Sequence, residues 1–319
     1  MAWPRSQPNF LAGPYLDRLA HLRKSDNELR RLLLDPATRF VPVSRSRNLI
    51  VTHDEGVTAC FLSGAEIHGS VEEAGYILLG EFHEHMHFAV EIPDTALARF
   101  EALGRFEDLR PIAGELTREE AGVLAYARAL VSWRERHRFC GRCGTPTVPL
   151  QAGHVLQCGN PDCRLEQFPR IDPAVIVLVT DGERALLGRQ AAWPPGRYST
   201  IAGFVEPGES LEDAVVREVR EETGVLVDTV DYHSSQPWPF PSSLMLGFTA
   251  HAASDTIERA DDELEDARWV TREQIAAGDV ALPTTHSISF RLIEDWYDEA
   301  GGRALRSEPG ARLWSSPRR

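Results

Sequence analysis

The stretch from Gly203 to Val225, GFVEPGESLEDAVVREVREETGV, places carboxylates where a merely structural helix would avoid them. Gly203 to Gly208, with Pro207 beside the second glycine, reads as a loop. Ser210 and Asp213 stand in capping-box spacing, so a helix is expected from about Leu211 to Glu222, ending at Gly224. At about 100° per residue, Leu211, Ala214, Val215 and Val219 form one apolar stripe, yet Glu218 and Glu222 fall inside it and Glu221 at its edge. Burying ionised carboxylates without compensating charge is very costly, and Arg217 alone cannot supply that charge. Clustered oxygen ligands suit a hard divalent cation, Mg²⁺ or Mn²⁺, that bridges carboxylates to substrate phosphates. The bland alternative is a solvated acidic helix face; it does not explain why loop, cap and carboxylates agree with one another.

Three other sets carry chemistry-bearing side chains. Cys140-Gly-Arg-Cys143 and, fourteen residues later, Cys158-Gly-Asn-Pro-Asp-Cys163 supply four thiolates in two close pairs, as tetrahedral Zn²⁺ requires. A closed four-sulfur site is structural, and disulfides are the alternative in an oxidising compartment. Cys60 is left over as an ordinary thiol. Ser235-Gln236-Pro237-Trp238-Pro239-Phe240-Pro241-Ser242 alternates proline with aromatics, which stiffens the chain into an aromatic shelf suited to a planar ring. Its alternative is a proline-rich loop or peptide ligand. His83-Glu84-His85-Met86-His87 fits the H-E-x-x-H pattern of zinc proteases, but that pattern needs a helix. Its flanks read as strand, so a surface row of His83, His85 and His87 is expected in place of a metal site.

The acidic stretch resembles the Nudix box without departures: Gly203, five residues, Glu209, seven residues, then Arg217-Glu218-Val219-x-Glu221-Glu222-x-Gly224-Val225. SQPWPFPxS and the order of N-terminal domain, four-cysteine module and Nudix domain resemble the NADH pyrophosphatases, the NudC type, of that family. The resemblance implies a homodimer that cleaves NADH or NAD⁺ to nicotinamide mononucleotide and AMP, with removal of NAD caps from RNA 5′ ends in bacterial members. It implies Mg²⁺ or Mn²⁺ on Glu218, Glu221, Glu222, the carbonyl of Ala202, and Glu263 upstream of Ala267-Arg268-Trp269, with Glu265 or Asp266 as lesser choices. Catalysis would rest on Glu218, Glu221, Glu222 and Glu263, while Glu209 pairs with Arg217 to hold the loop against the helix. Ring-stacking positions map to Phe204 and to Phe168, where the family often has Tyr. Residues Ser235 to Ser242 would embrace the dinucleotide, with further contacts from Ser289 and Arg110. Two rival functions are a Nudix hydrolase of ADP-ribose or another nucleoside diphosphate derivative, and a non-catalytic nucleotide- or RNA-binding protein.

These groups need elements to hold them. The chain has 319 residues, 42% hydrophobic and 26% charged, with 34 basic against 48 acidic residues for a formal charge of −14, which opposes wholesale binding of a nucleic-acid backbone. No apolar run approaches a spanning helix and MAWPRSQPNF lacks a signal-peptide core, so a cytoplasmic protein without membrane partners is expected. Residues 1–125 form a small sheet-rich domain, with a helix over Arg18–Leu34 and strand-like runs at Asn48–Thr52, Val57–Leu62, Tyr76–Leu79 and Met86–Val90. Residues 126–168 hold the end of a helix spanning Thr117–Arg136 and the zinc ribbon, where Arg134, Arg136, Arg138 and Arg142 either meet an anionic substrate or form a solvated face. Residues 169–300 turn α/β, with an unbroken apolar strand at Ala174–Val179 and a last amphipathic helix at Ser287–Glu299. The tail 301–319, with GG, EPG and SSPRR, is expected to be disordered. The fold class is thus α/β (α+β): a Nudix α/β/α sandwich preceded by a zinc ribbon and a sheet-rich domain.

Overall fold

A computed structural model describes residues 8–54, 56–67, 69, 75–259 and 263–314. The chain divides into two compact units, residues 1–171 with 238–242, and residues 172–237 with 243–319. Each has its own sheet and core.

In the first unit, helix α1 (Asp26–Leu34) precedes strands β1 (Arg39–Ser44), β2 (Arg47–His53), β3 (Gly56–Ala59) and β4 (Leu62–Ser63), and a short helix α2 (Gly64–Ile67). Then follow β5 (Tyr76–Phe82), β6 (His85–Glu91), α3 (Leu97–Glu101), β7 (Arg105–Glu107), α4 (Leu109–Ile112) and the long α5 (Arg118–Arg136). The strands lie in the order β3-β2-β1-β6-β5, and β1 and β6 run parallel between antiparallel neighbours. Successive strand residues face opposite sides. Val41 and Val43 accordingly pack against Leu124, Ala127 and Val131 of α5, while Phe40, next to Val41 and on the opposite side, joins Leu29, Leu32 and Phe88 in a separate core. Helix α5 begins at the expected capping box, Thr117 with Glu120.

The expected helix over Arg18–Leu34 is broken. Ala20–Lys24 is a single 3₁₀ stretch, and Ser25, at φ −111 and ψ 89, turns the chain before α1 starts. The histidines do not form a surface row either. His83 and Glu84 make the tight turn between β5 and β6, both at positive φ, and His83 is exposed beside Glu119. His87 is buried among Phe61 and Phe82, with Nδ1 2.9 Å from the His85 carbonyl.

Burial has a titration consequence. Desolvation drives both His87 and His154 down to about 4, and His154 keeps its Nε2 2.7 Å from the Leu78 carbonyl. Both rings are therefore neutral in the fold. An unfolded histidine binds a proton below about 6.5, so stability is fully present above that pH and is lost between there and about 4. At about 1.4 kcal/mol per unit, the loss is on the order of 3 kcal/mol per ring. Urea unfolding at pH 7 and pH 4.5 measures it; His154→Gln, whose amide still donates to Leu78, should flatten the pH dependence, and an unaltered slope would count against this origin.

The first unit closes with a three-stranded ribbon, β8 (Thr147–Leu150), β9 (Val155–Cys158) and β10 (Glu166–Gln167), in the order β10-β9-β8.

In the second unit, β11 (Asp172–Thr180), β12 (Arg184–Arg189) and β13 (Ile201–Phe204) lead into helix α6 (Leu211–Thr223). Strands β14 (Val227–Trp238), β15 (Ser243–Ala252) and β16 (Asp266–Thr271), helix α7 (Arg272–Ala277), strand β17 (Ala281–Leu282), helix α8 (Ile288–Glu299) and strand β18 (Arg312–Leu313) complete it. The sheet order is β14-β15-β11-β12-β16, with β13 added to β11 and with β11 and β15 parallel. Val175, Val177 and Val179 of β11 face Ala214, Val215 and Val219 of α6; Ile176 and Leu178 face Ile288, Leu292 and Ile293 of α8. That is the α/β/α sandwich, and it explains the unbroken apolar run: β11 is covered on both sides.

The expected disordered tail is ordered as far as residue 314. Leu305 is only 2% exposed within the α8 core, Arg312 and Leu313 pair with Ala281 and Leu282, and Trp314 Nε1 donates to the Ala281 carbonyl at 2.7 Å. Buried Leu305 and the indole overrule the Gly- and Pro-rich composition; residues 315–319 lie outside the described chain. Among the described residues, no helix is long and apolar enough to cross a membrane.

Candidate active site

Helix α6 starts at Ser210, whose hydroxyl accepts from Asp213 N while the Asp213 carboxylate accepts from Ser210 N, and stops at Gly224 with φ 73. A Cβ at Gly224 would also lie 2.7 Å from the Glu258 carbonyl oxygen, so both conformation and space demand glycine there. The helix buries the stripe read from the sequence and takes Glu218 and Glu222 with it, at 8% and 3% exposure; the Glu221 side chain stays about half exposed.

Gly203 on β13 is the counterpart of that burial. A Cβ there would sit 2.0 Å from the Glu218 carboxyl carbon, so the carboxylate lies flat on the bare glycine backbone. Ala202 lies next to it, paired with Ile176 of β11, and the exposed Phe204 ring follows at 61% exposure.

Arg217 is the hub of the acidic cluster. Its Nε and Nη2 donate to the two oxygens of Glu209 (2.5 and 3.0 Å), Nη2 also to the Phe204 carbonyl (2.9 Å), and Nη1 to Glu218 (2.8 Å) and Glu221 (3.1 Å). The guanidinium holds Glu209 down to about 2, while its own pKa is raised by the same bonds. Glu209 thus pins the loop to the helix, the pairing that the resemblance implies. Glu218 goes the other way: burial raises its pKa, Arg217 lowers it, and the charges of Glu263 and Glu221 raise it again. One guanidinium divided among three carboxylates leaves an acid excess around Glu218 and Glu222. That excess, made of hard oxygen donors on a buried helix face, fits a divalent cation better than another side chain.

The sequence had no signal for what presents Glu263. Arg259 Nη1 donates to the carbonyls of Leu264 (2.6 Å) and Glu265, Glu265 N donates to the Arg189 carbonyl (2.8 Å), and the Arg189 guanidinium pairs with the Glu265 carboxylate. Glu258 N donates to the Thr223 carbonyl (2.8 Å), which ties the start of this loop to the end of α6. Tyr198 bonds Asp266, so Glu265 and Asp266 are both occupied in structural bonds.

The proline–aromatic segment is used differently from a bare shelf. Gln236 is fully buried at the N-terminus of α8, donating to the His286 carbonyl (2.8 Å) and accepting from Ile288 N (2.8 Å). Ser289 is also buried; its hydroxyl meets Ser199 Oγ and Thr200 Oγ1 (2.9 Å each) and accepts from Thr200 N, just ahead of β13. Residues 238–242 belong to the first unit. There the guanidinium of Arg110 lies 5.6 Å from the Trp238 ring centre, and that of Arg128 lies 4.7 Å from the Phe240 ring centre and donates to the Pro239 carbonyl at 2.9 Å. Ser235, Pro237 and Ser242 are half-buried and Pro241 is exposed. Phe168, also in the first unit, is 62% exposed.

The four cysteines converge. Their sulfurs all lie within 4.8 Å of one another, the one such set of metal-ligating side chains among the described residues. None is in a disulfide. Cys143 to Cys158 is 3.3 Å and Cys140 to Cys163 3.9 Å, close to the spacing of about 3.8 Å that a tetrahedral ion with bonds of about 2.3 Å imposes.

Comparison with known proteins decides the family. Residues 170–295 match the NUDIX domain, 135–168 the NADH pyrophosphatase zinc ribbon domain and 37–133 the NADH pyrophosphatase-like rudimentary NUDIX domain. The NAD-capped RNA hydrolase NUDT12 of Macaca fascicularis is 36% identical over 343 aligned positions, which cover 90% of this chain and 73% of that protein. The chain belongs to the NADH pyrophosphatase group of the Nudix hydrolases. The NAD-capped RNA hydrolase NudC of Stutzerimonas stutzeri is 42% identical over 224 positions, covering 70% of this chain and 77% of its own. The rudimentary Nudix match covers residues 37–133 of the first unit, where β1 and β6 run parallel as β11 and β15 do in the second. This Nudix enzyme carries a structural zinc ribbon on its four cysteines.

Proposed function

We propose that this Nudix hydrolase cleaves the pyrophosphate bond of NADH or NAD⁺ to NMN(H) and AMP and removes NAD caps from RNA 5′ ends. The observation that carries the reading is the burial of Glu218 and Glu222 on one face of α6, with Glu218 against the bare backbone of Gly203, inside a chain matched along most of its length by NAD-capped RNA hydrolases. The residues that would hold Mg²⁺ or Mn²⁺ are Glu218, Glu221, Glu222, Glu263 and the Ala202 carbonyl. Bound there, such ions lower the pKa of a water and offset charge on the departing phosphate. The chain's own residues do the rest. Arg217 fixes Glu218 and Glu221 in place, Glu221 or Glu263 accepts the proton of the attacking water, and Phe204 and Phe168 offer exposed faces on which a planar ring stacks. Ser235 to Ser242, Ser289 and Arg110 are the positions at which the resemblance implies dinucleotide contacts; of these, Gln236 and Ser289 are buried and support the fold of the second unit. The working form is taken to be a homodimer, on the resemblance alone; sedimentation equilibrium checks the assembly.

Kinetics on NADH, NAD⁺, NAD-capped RNA and ADP-ribose, each with Mg²⁺ and with Mn²⁺, test the reading. NADH and capped RNA should exceed ADP-ribose in kcat/KM. A preference for ADP-ribose would assign the enzyme to the other Nudix branch, and no turnover with either metal would leave a binding protein.

Gly203→Ala isolates the cradle. The three atoms nearest the new methyl all belong to the Glu218 carboxyl, at 2.0–2.2 Å, so that carboxylate must shift, at a stability cost of about 1–3 kcal/mol, and Mn²⁺ affinity, read by titration, should fall at least about tenfold with kcat. Unchanged Mn²⁺ binding would remove Glu218 from the ligand set.

A further inference from the structure

The ribbon turns its apolar side chains outward. Phe139 is 63% exposed, and Val148, Leu150 and Leu165 are exposed with it. Residues 136–170 also hold Arg136, Arg138, Arg142, Arg164 and Arg170 against Asp162 and Glu166, a net of +3 in a chain of −14, so the remainder carries −17. A tetrathiolate zinc centre contributes −2, and the module stays positive. Arg138 is engaged by Glu91, but Arg136, Arg142 and Arg164 are exposed and make no ion pair among the described residues. Residues 18–47 are the other basic stretch, and half of their eight cations are engaged as follows: Arg31 on Glu28, Arg45 on Asp94, Arg39 on backbone carbonyls and Arg18 over Tyr126. No aromatic is exposed there.

The three ribbon side chains that matter most spring from the metal knuckles. Phe139 precedes Cys140, Arg142 precedes Cys143, and Arg164 follows Cys163, and the four sulfurs lie within 4.8 Å of one another. An exposed ring among unpaired guanidiniums is the composition that holds single-stranded nucleic acid, by stacking on any base and pairing with phosphates. We propose that the metal end of the ribbon, Phe139 with Arg136, Arg142 and Arg164, binds the single-stranded RNA that continues beyond the cap. The proposal rests on the capped-RNA reading of the active site. It supplies what the acidic remainder of the chain lacks, a surface that attracts a polyanion instead of repelling it.

The test measures binding of a short 5′-hydroxyl RNA by fluorescence anisotropy, so that no cap chemistry is involved, together with zinc content and NADH turnover. Arg142→Gln with Arg164→Gln should raise Kd about tenfold at low salt and reduce the slope of log Kd against log salt by about 1.4, two phosphates at about 0.7 each. Phe139→Leu with Arg136→Gln, which changes no residue between the paired cysteines, should raise Kd about tenfold as well. Zinc should stay at one per chain and kcat/KM on NADH should not move. RNA affinity unchanged in both variants overturns the proposal. If the first variant loses zinc, the second decides alone: weakened RNA binding with zinc retained supports the surface, and unchanged binding refutes it. An enzyme that decaps NAD-RNA equally well with both variants loses the surface and keeps the function. One that binds RNA through these residues without decapping keeps the surface and loses the function.

Discussion

Glu222→Gln is expected to lower kcat on NADH by on the order of a thousandfold, about 4 kcal/mol of transition-state stabilisation, while the protein stays folded with its zinc. The reasoning is one of charge at fixed shape. Glu222 is 3% exposed on the face of α6 that packs beneath the sheet, so an amide of the same size fits without a cavity. The lost group is a negative charge in a cluster that already includes Glu218, Glu221 and Glu263. Without metal, removing one of several like charges should leave the melting temperature unchanged or raise it. With saturating Mn²⁺ the parent should gain stability by mass action and the variant should gain far less. Thermal melts with and without Mn²⁺, beside single-turnover kinetics, separate the two effects. A variant that turns over NADH normally, or gains as much stability from Mn²⁺ as the parent, would remove Glu222 from the cation site.

How much of this was legible beforehand depends on how local the determinant is. The cap at Ser210, the stop at Gly224 and the burial of Glu218 and Glu222 follow from spacing on a single helix, and all four are found there. Cysteine spacing likewise led to a converged thiolate set. The misreadings each involve a contact far away in sequence. Trp238 and Phe240 looked like a shelf because proline stiffens the backbone, but Arg110 and Arg128, more than a hundred residues earlier, take their faces. Gln236 looked like a ligand contact, and its amide instead caps α8 some fifty residues later. Composition argued for a loose tail, yet Leu305 and Trp314 find hydrophobic and hydrogen-bonding partners around Ala281 and α8. His87 was read by strand alternation as a surface residue, which fails because the turn falls at His83–Glu84 and the strand beyond it is covered by Phe61 and Phe82. Arg189 and Arg259, which hold the backbone at Leu264 and Glu265, have no sequence signature.

Cys158→Ser should unfold the ribbon while leaving the neighbouring helix intact. The module has three strands of four, four and two residues, far too little to close a core of its own. Its buried apolar side chains are Val155 and Leu156 with Cys140 and Cys158, whereas Phe139, Val148, Leu150 and Leu165 point to solvent. What draws residues 140–143 and 158–163 together is therefore the metal, whose binding supplies about 10–16 kcal/mol in comparable small zinc modules. Serine matches the shape of cysteine but offers a hydroxyl that stays protonated near neutral pH, so the tetrathiolate cannot form. Zinc should fall from one to none per chain, and amide exchange should accelerate across residues 140–150 and 159–167. Protection of α5 should persist, because Leu124, Ala127 and Val131 are buried against the sheet by contacts that involve no cysteine. Residues 153 and 154 make a stringent boundary: Gly153 sits against Ile77 and His154 bonds the Leu78 carbonyl, so their amides should remain slow when the ribbon on either side has opened. Ribbon amides that stay protected after zinc is gone would mean that packing, not metal, holds this module together.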